Sequence, residues 1–158
     1  MSLVIVGHCD PTFPARLPRL ISQLGLDSRV ILVPAVADEW LPAVYRAASA
    51  FAFPSLAEGF GLPVLEAMAA GLPVVASDIP ALTEVAGPAV LAVAPLDVEG
   101  WTAALAKVLA DRGTSHALAE AGAGVVAGAT WGRGAGVLLD LLSCVARRNP
   151  AASPREPC

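Results

Sequence analysis

Charge is scarce in this sequence. Only 15% of its 158 residues are charged, against 56% hydrophobic; an ordinary soluble domain carries about 25% charged residues. Lysine occurs once, at Lys107, and the formal net charge is -4. With no basic stripe and no interleaved aromatic platform, a nucleic-acid partner is excluded. The three cysteines, Cys9, Cys144 and Cys158, are far apart and form no C-x-x-C pair. A disulfide framework and a zinc site therefore lack support, and a reducing cytoplasm fits. No apolar run has the roughly 20 uninterrupted residues of a membrane helix. The amino terminus, "MSLVIVGHCD", has no charged region ahead of an apolar one and does not read as a signal peptide. The apolar excess thus belongs either to buried strands or to a surface meant to be covered.

Short apolar runs alternate with longer helical patterns. "LVIVG", "RVILV", "SAFAFP", "LPVVAS" and "AVLAV" are of strand length. They are continuous rather than alternating, as expected of strands covered on both faces. Between them, "ARLPRLISQLG", "DEWLPAVYRAA", "GLPVLEAMAAG" and "IPALTEVAG" place apolar residues near helical spacing. Asp38 is a candidate N-cap, and Gly25 and Gly71 sit where helices should stop. This βαβαβαβαβ order predicts an α/β fold, a Rossmann-like doubly wound parallel sheet. Three further helices follow, the first capped by Asp97 and the last by Thr130. One domain is expected over residues 1–146, with a disordered tail at 147–158 ending in "NPAASPREPC".

From Ala47 to Ser77 the only charged residues are Glu58 and Glu66, on either side of "GFGLP". This loop follows the carboxyl end of a strand, the rim where open α/β sheets bind ligands. Pro63 falls in the first helical turn, where a missing N–H is harmless. Gly59 and Gly61 allow close approach of backbone to a ligand, or a positive φ. Free N–H groups at the helix start suit a phosphate or diphosphate. A carboxylate can accept two hydrogen bonds from a vicinal diol, so the pattern fits a nucleotide sugar. A plainer account also stands. Glu66 near a helix start is favourable by about 0.3–1 kcal/mol through the helix dipole alone, and Glu58 is then an ordinary loop residue.

The segment "PSLAEGFGLPVLEAMAAGLPVVASD" resembles the signature of the retaining GT-B glycosyltransferases of family 4, the glycosyl transferases group 1. Glu58 and Glu66 match that family's E-x7-E motif. The likeness extends over residues 3–145, through "GLDSRVILVPAVADEWLPAVYRAASAFAFPS", "IPALTEVAGPAVLAVAPLDVEGWTAALAKVLAD" and "TWGRGAGVLLDLL". It implies the C-terminal, donor-binding half of a GT-B fold. Glu58 would be the catalytic contact to the donor sugar. Gly59, Phe60, Gly61 and Leu62 would hold sugar and diphosphate through backbone amides, Glu66 the ribose hydroxyls, and Val36 the base. The donor would be a nucleoside-diphosphate sugar, with no cofactor and no metal ion.

The sequence departs from the family's pattern in two ways. It has no acceptor-binding half, and no first βα unit of the "GR…KG" type with its Arg and Lys for the diphosphate. Arg16 is the nearest stand-in, and its surroundings do not resemble that motif. The chain is thus expected to be an incomplete enzyme, inactive alone, partnered by the acceptor half or by another chain over its cleft face. Peripheral membrane attachment would run through that other half. The alternative is a non-catalytic module that binds a nucleotide or a partner. A pyridoxal-dependent phosphorylase is disfavoured because Lys107 lies on a late helix.

The remaining candidates have plain readings. His8 and His116 read as surface residues, and Trp40 and Tyr45 as packing. Asp78 and Glu84 read as caps of the short helix between them. Phe60 either walls a sugar pocket or anchors its loop. "PSLAEG" is no G-x-S-x-G nucleophile elbow, and "GAGVVAG" falls inside a helix rather than after a strand.

Overall fold

The computed structural model describes residues 1–7 and 16–148. His8, Cys9, Cys158 and the expected tail from 149 onward lie outside the described residues. The chain forms two compact units, Met1–Val44 and Tyr45–Cys158.

The first unit holds β1 (Leu3–Val6), α1 (Arg16–Gln23), β2 (Val30–Val33) and the start of α2 (Leu41–Ala47). β1 and β2 pair in parallel, with Leu3 opposite Val30 and Val6 opposite Val33. α1 stops at Gly25, whose φ is +66°. Gly25 N–H bonds Ser22 O at 3.0 Å and Leu26 N–H bonds Ile21 O at 2.9 Å, which together close a Schellman cap. α2 is entered through a turn in which Leu41 N–H bonds the Asp38 carbonyl oxygen at 3.3 Å. The backbone of Asp38 thus serves there, and its carboxylate takes no part among the described bonds. Both strands were expected to be covered on both faces. Instead Leu3, Val4, Val6, Ile31 and Leu32 are exposed, and Ile21 is the unit's one buried hydrophobic residue among those described.

The second unit holds β3 (Phe51–Phe53), α3 (Leu62–Ala69), β4 (Val74–Ser77), α4 (Pro80–Ala86), a 3-10 turn (Gly87–Ala89), β5 (Val90–Val93), α5 (Val98–Ala110), α6 (Arg112–Gly128) and α7 (Trp131–Arg148). Its sheet is parallel, in the order β3-β4-β5. All four residues of β4 are buried. Their alternation divides the core between the two faces of the sheet. Val74 and Ala76 join Val64, Met68, Leu82 and Val90, while Val75 joins Val93, Val108 and Leu118. Each valine, leucine or methionine among them contributes about 1.5–3 kcal/mol when fully removed from water.

Local chemistry explains the helix ends. Asp97 Oδ1 accepts from Gly100 N–H at 2.9 Å, as the sequence predicts for α5. Thr130 Oγ1 accepts from Arg133 N–H at 3.3 Å at the start of α7. α3 ends like α1: Gly71 has φ +78°, and Leu72 N–H reaches back to Ala67 O at 3.0 Å. Two expectations need correction. α4 has Ile79 at its cap position with no side-chain bond, and Glu84 lies inside the helix. Asp78 instead gives its N–H to Val93 O at 2.7 Å, tying the ends of β4 and β5. α6 also begins earlier than its apolar pattern suggests, because Asp111 caps it by accepting from Gly113 N–H at 2.9 Å. The glycines of α6, read as a weakness, include a packing surface. A Cβ on Gly122 would lie 2.8 Å from Met68 Cγ, so α6 can press against the back of α3.

α7 carries its apolar residues outward, with Trp131 93% exposed and Leu138, Leu141, Leu142 and Val145 all more than half exposed. It runs to Arg148, so residues 147 and 148 of the expected tail are helical. No single described helix is long and apolar enough to cross a membrane, although α6 and α7, bent by 45°, reach that length and composition as a pair.

Candidate functional site

β3 ends at Phe53, and the chain enters the loop that carries Glu58. Ser55 holds this loop at two points. Its N–H bonds Ser77 Oγ at 2.8 Å, and Ser77 is 1% exposed at the end of β4. Its own hydroxyl lies 2.8 Å from Glu58 Oε1 and 3.0 Å from Ala57 O. The single hydroxyl proton favours the charged acceptor, since charge-assisted bonds are shorter and stronger. Glu58, partly buried, is thereby fixed by a side chain three residues before it.

The chain then turns into α3 through Gly61, at φ +91° and ψ +41°. Such a left-handed turn suits glycine and few other residues. Gly61 is itself buried, and a Cβ there would run into Leu82 Cδ2. Of the two expectations for Gly61, close approach of backbone to a ligand or a positive φ, the second is met, and because Leu82 lies where a Cβ would sit, the glycine permits both the turn and the packing beneath it. Gly59 has nothing near its Cβ position. Phe60 and Leu62 are 51% and 52% exposed, so Phe60 is not sunk as an anchor for the loop.

Among the described residues, the N–H groups of Gly59, Phe60, Gly61 and Leu62 take part in no hydrogen bond; the first bond back into the turn is Val64 N–H to Gly61 O at 3.0 Å. Pro63 has no N–H to spare. The start of a helix carries partial positive charge on such free donors. The result is a run of amides next to Glu58, with Glu66 one turn further along α3.

Glu66 is exposed but not free. Tyr45 Oη donates to Glu66 Oε2 at 2.9 Å. The Tyr45 ring packs edge-on against Phe51, 5.4 Å between centroids, and Phe51 stacks on Phe53 at 5.8 Å. Burial first, then the hydrogen bond to Glu66 and its negative charge, push the Tyr45 phenol well above its ordinary range.

Of the site residues expected from sequence, Glu58, Gly59, Phe60, Gly61, Leu62 and Glu66 form this continuous turn and helix. Val36 belongs to the first unit, partly buried in the connection between β2 and α2. Sequence reasoning passed over Ser55, Ser77 and the hydroxyl of Tyr45. A tyrosine on a helix with one packed face still needs a partner for its O–H, and that requirement is the signal that points to a carboxylate. A separate open groove of about 370 Å³ runs beside β5, between Leu91–Ala94 and the Asp97, Gly100 and Lys107 side of α5. None of the expected site residues lines it.

The parallel sheets flanked by helices define an α/β protein of Rossmann-like type, with the fold of GT-B glycosyltransferases. The model of the family "Glycosyl transferases group 1" matches residues 1–125, and the chain belongs to that family. It is 40% identical over 112 residues to the MMP alpha-(1->4)-mannosyltransferase of Mycolicibacterium hassiacum, covering 69% of this chain and 27% of that protein. Sucrose-phosphate synthase from Thermosynechococcus elongatus superposes with a TM-score of 0.79 at 31% identity, over 96% of this chain and 39% of that one. The C-terminal domain of a glycosyl transferase group 1 family protein from Francisella tularensis does so with 0.71 at 30% identity, over 80% and 68%. The chain spans 20%, 27% and 30% of the length of three curated relatives, all mannosyltransferases.

Proposed function

We propose that this chain is the donor-binding, C-terminal half of a retaining family 4 glycosyltransferase. It takes a nucleoside-diphosphate sugar, and the acceptor-binding half lies in sequence beyond these residues or in a partner chain. One observation carries the reading: a run of amides at a glycine-set helix start, without partners among the described residues, stands between two carboxylates, each held by a neighbouring hydroxyl. The amides and the helix dipole take the diphosphate and stabilise the negative charge that grows on it as the sugar leaves. Glu58, steadied by Ser55, accepts hydrogen bonds from the sugar's hydroxyls and presents the reacting face. Glu66 accepts from the ribose diol. Departure and attack on one face keep the anomeric configuration. Val36 belongs to the base contact in this reading. The chain alone binds donor and does not turn it over.

Calorimetric titration with UDP, GDP, UDP-glucose and GDP-mannose tests this. Glu66→Ala weakens the diphosphates and the sugar nucleotides alike. Glu58→Ala weakens only the sugar nucleotides. Equal losses on both ligand classes with Glu58→Ala would remove its assignment to the sugar. A second reading, a non-catalytic module that binds a nucleotide or a partner chain, draws on the outward apolar face of α7. It predicts sugar-nucleotide binding indifferent to Glu58.

A further inference from the structure

We propose that Tyr45 is a positioning residue whose phenol O–H sets the Glu66 carboxylate in the one orientation that grips a vicinal diol of the ligand. The inference rests on the reading of Glu66 given above and extends it to a residue outside the turn. A glutamate on an exposed helix surface samples several rotamers, and binding must freeze them. Glu66 is exposed, yet its Oε2 is already occupied by Tyr45 Oη at 2.9 Å.

The phenol that donates to Glu66 is itself packed. Its ring is locked edge-on against Phe51, and both rings pack on the core that includes Val64 and Met68 of α3. The helix carrying Glu66 and the ring holding its side chain therefore share one core. Each carboxylate oxygen has about two acceptor sites. The tyrosine takes one on Oε2. This leaves Oε1 whole and one site beside it, a pair suited to two adjacent hydroxyls. Burial and the neighbouring carboxylate keep the phenol protonated, so it remains a donor through the range in which the ligand binds. A side chain set in advance avoids part of the ordering cost of association.

The test uses UDP and GDP with their 2′,3′-dideoxy analogues, titrated calorimetrically into the full 158-residue chain. The wild type should prefer each diol over its dideoxy analogue. Tyr45→Phe, which keeps the ring, should weaken the diol ligands about 3- to 10-fold, the worth of one hydrogen bond and its ordering, and leave the dideoxy analogues unchanged. Glu66→Asp retains the charge but draws the carboxylate back from the phenol, and should lose the same preference. Tyr45→Phe added to Glu66→Ala should cost nothing more. Equal weakening of both ligand types by Tyr45→Phe, or an intact diol preference in Tyr45→Phe or, should that variant not fold, in Glu66→Asp, would overturn the positioning role. A Glu66→Ala protein that still prefers the diol, or a wild type that binds none of these ligands, would instead overturn the assignment of Glu66 itself and take the inference with it.

Discussion

β1 and β4 are both four-residue parallel strands read from short, largely apolar runs, LVIV and VVAS. Their surroundings differ completely. Every residue of β4 is buried, while three of the four in β1 are exposed. An apolar run therefore specifies a strand suited to cover; it does not supply the cover. In the second unit α3, α4 and the end of α6 close one face of the sheet, and α5 with Leu118 of α6 closes the other, so Val74 and Val75 both find a core. Among the described residues, the first unit offers β1 and β2 no comparable pair of layers.

The sharpest way to break this contrast is to shorten one leucine in each unit. Leu82, 1% exposed, supports both the core and the turn at Gly61, and Leu82→Ala should cost about 2–5 kcal/mol. Leu3, 53% exposed, should lose no more than about 0.5 kcal/mol on the same change. Urea unfolding of the two variants checks this, and similar losses would mean that the two units bury their leucines alike.

A smaller difference separates two glycines of positive φ. Gly25→Ala meets no neighbour and pays only for the left-handed backbone, about 1–2 kcal/mol. Gly61→Ala meets Leu82 as well. It should be the more costly by about 1–3 kcal/mol and should abolish nucleotide binding, since the amides move with the turn. Thermal melting with a UDP titration reads both effects.

The subtlest test concerns α2, which belongs partly to each unit. Trp40, just before it, is 63% exposed; Tyr45, within it, is packed and bonded. Tyr45 is the sole tyrosine in the sequence, so ultraviolet titration reports it directly. It should ionise above the ordinary phenol range, and Glu66→Ala should bring it back down by removing both an acceptor and a negative charge. The folded chain holds this proton more tightly than the unfolded chain does. The stability it contributes is therefore full below the ordinary phenol range and lost as pH rises through the folded value. An unchanged titration in Glu66→Ala would show that burial alone raises it.

Much of this was legible in the sequence, because it depends on neighbours in the chain. The five strands follow from apolar runs. The stops at Gly25 and Gly71 and the cap at Asp97 follow from backbone groups that must be satisfied locally. The two glutamates and the glycine turn are contiguous and were found together. What escaped depends on groups far apart in sequence. Tyr45 and Glu66 meet across 21 positions, Ser55 and Ser77 across 22, and Leu82 reaches Gly61 from another helix. Asp78 failed as a cap because the helix starts one residue later than its spacing suggests, with Ile79 at the cap position. The exposure of β1 and β2 escaped for a different reason, since periodicity describes a strand and not its neighbours.

The bond from Ser55 to Ser77 links the loop that carries Glu58 to the interior. Loops usually follow their own flanking segments, but this one is tethered to the tip of the central strand of its sheet. Any repacking that slides β4 by a fraction of an ångström drags the Glu58 carboxylate with it. If Glu58 has the role proposed above, substitutions hidden in the middle of the protein, touching no ligand, would register as weakened sugar-nucleotide binding before they register as lost fold.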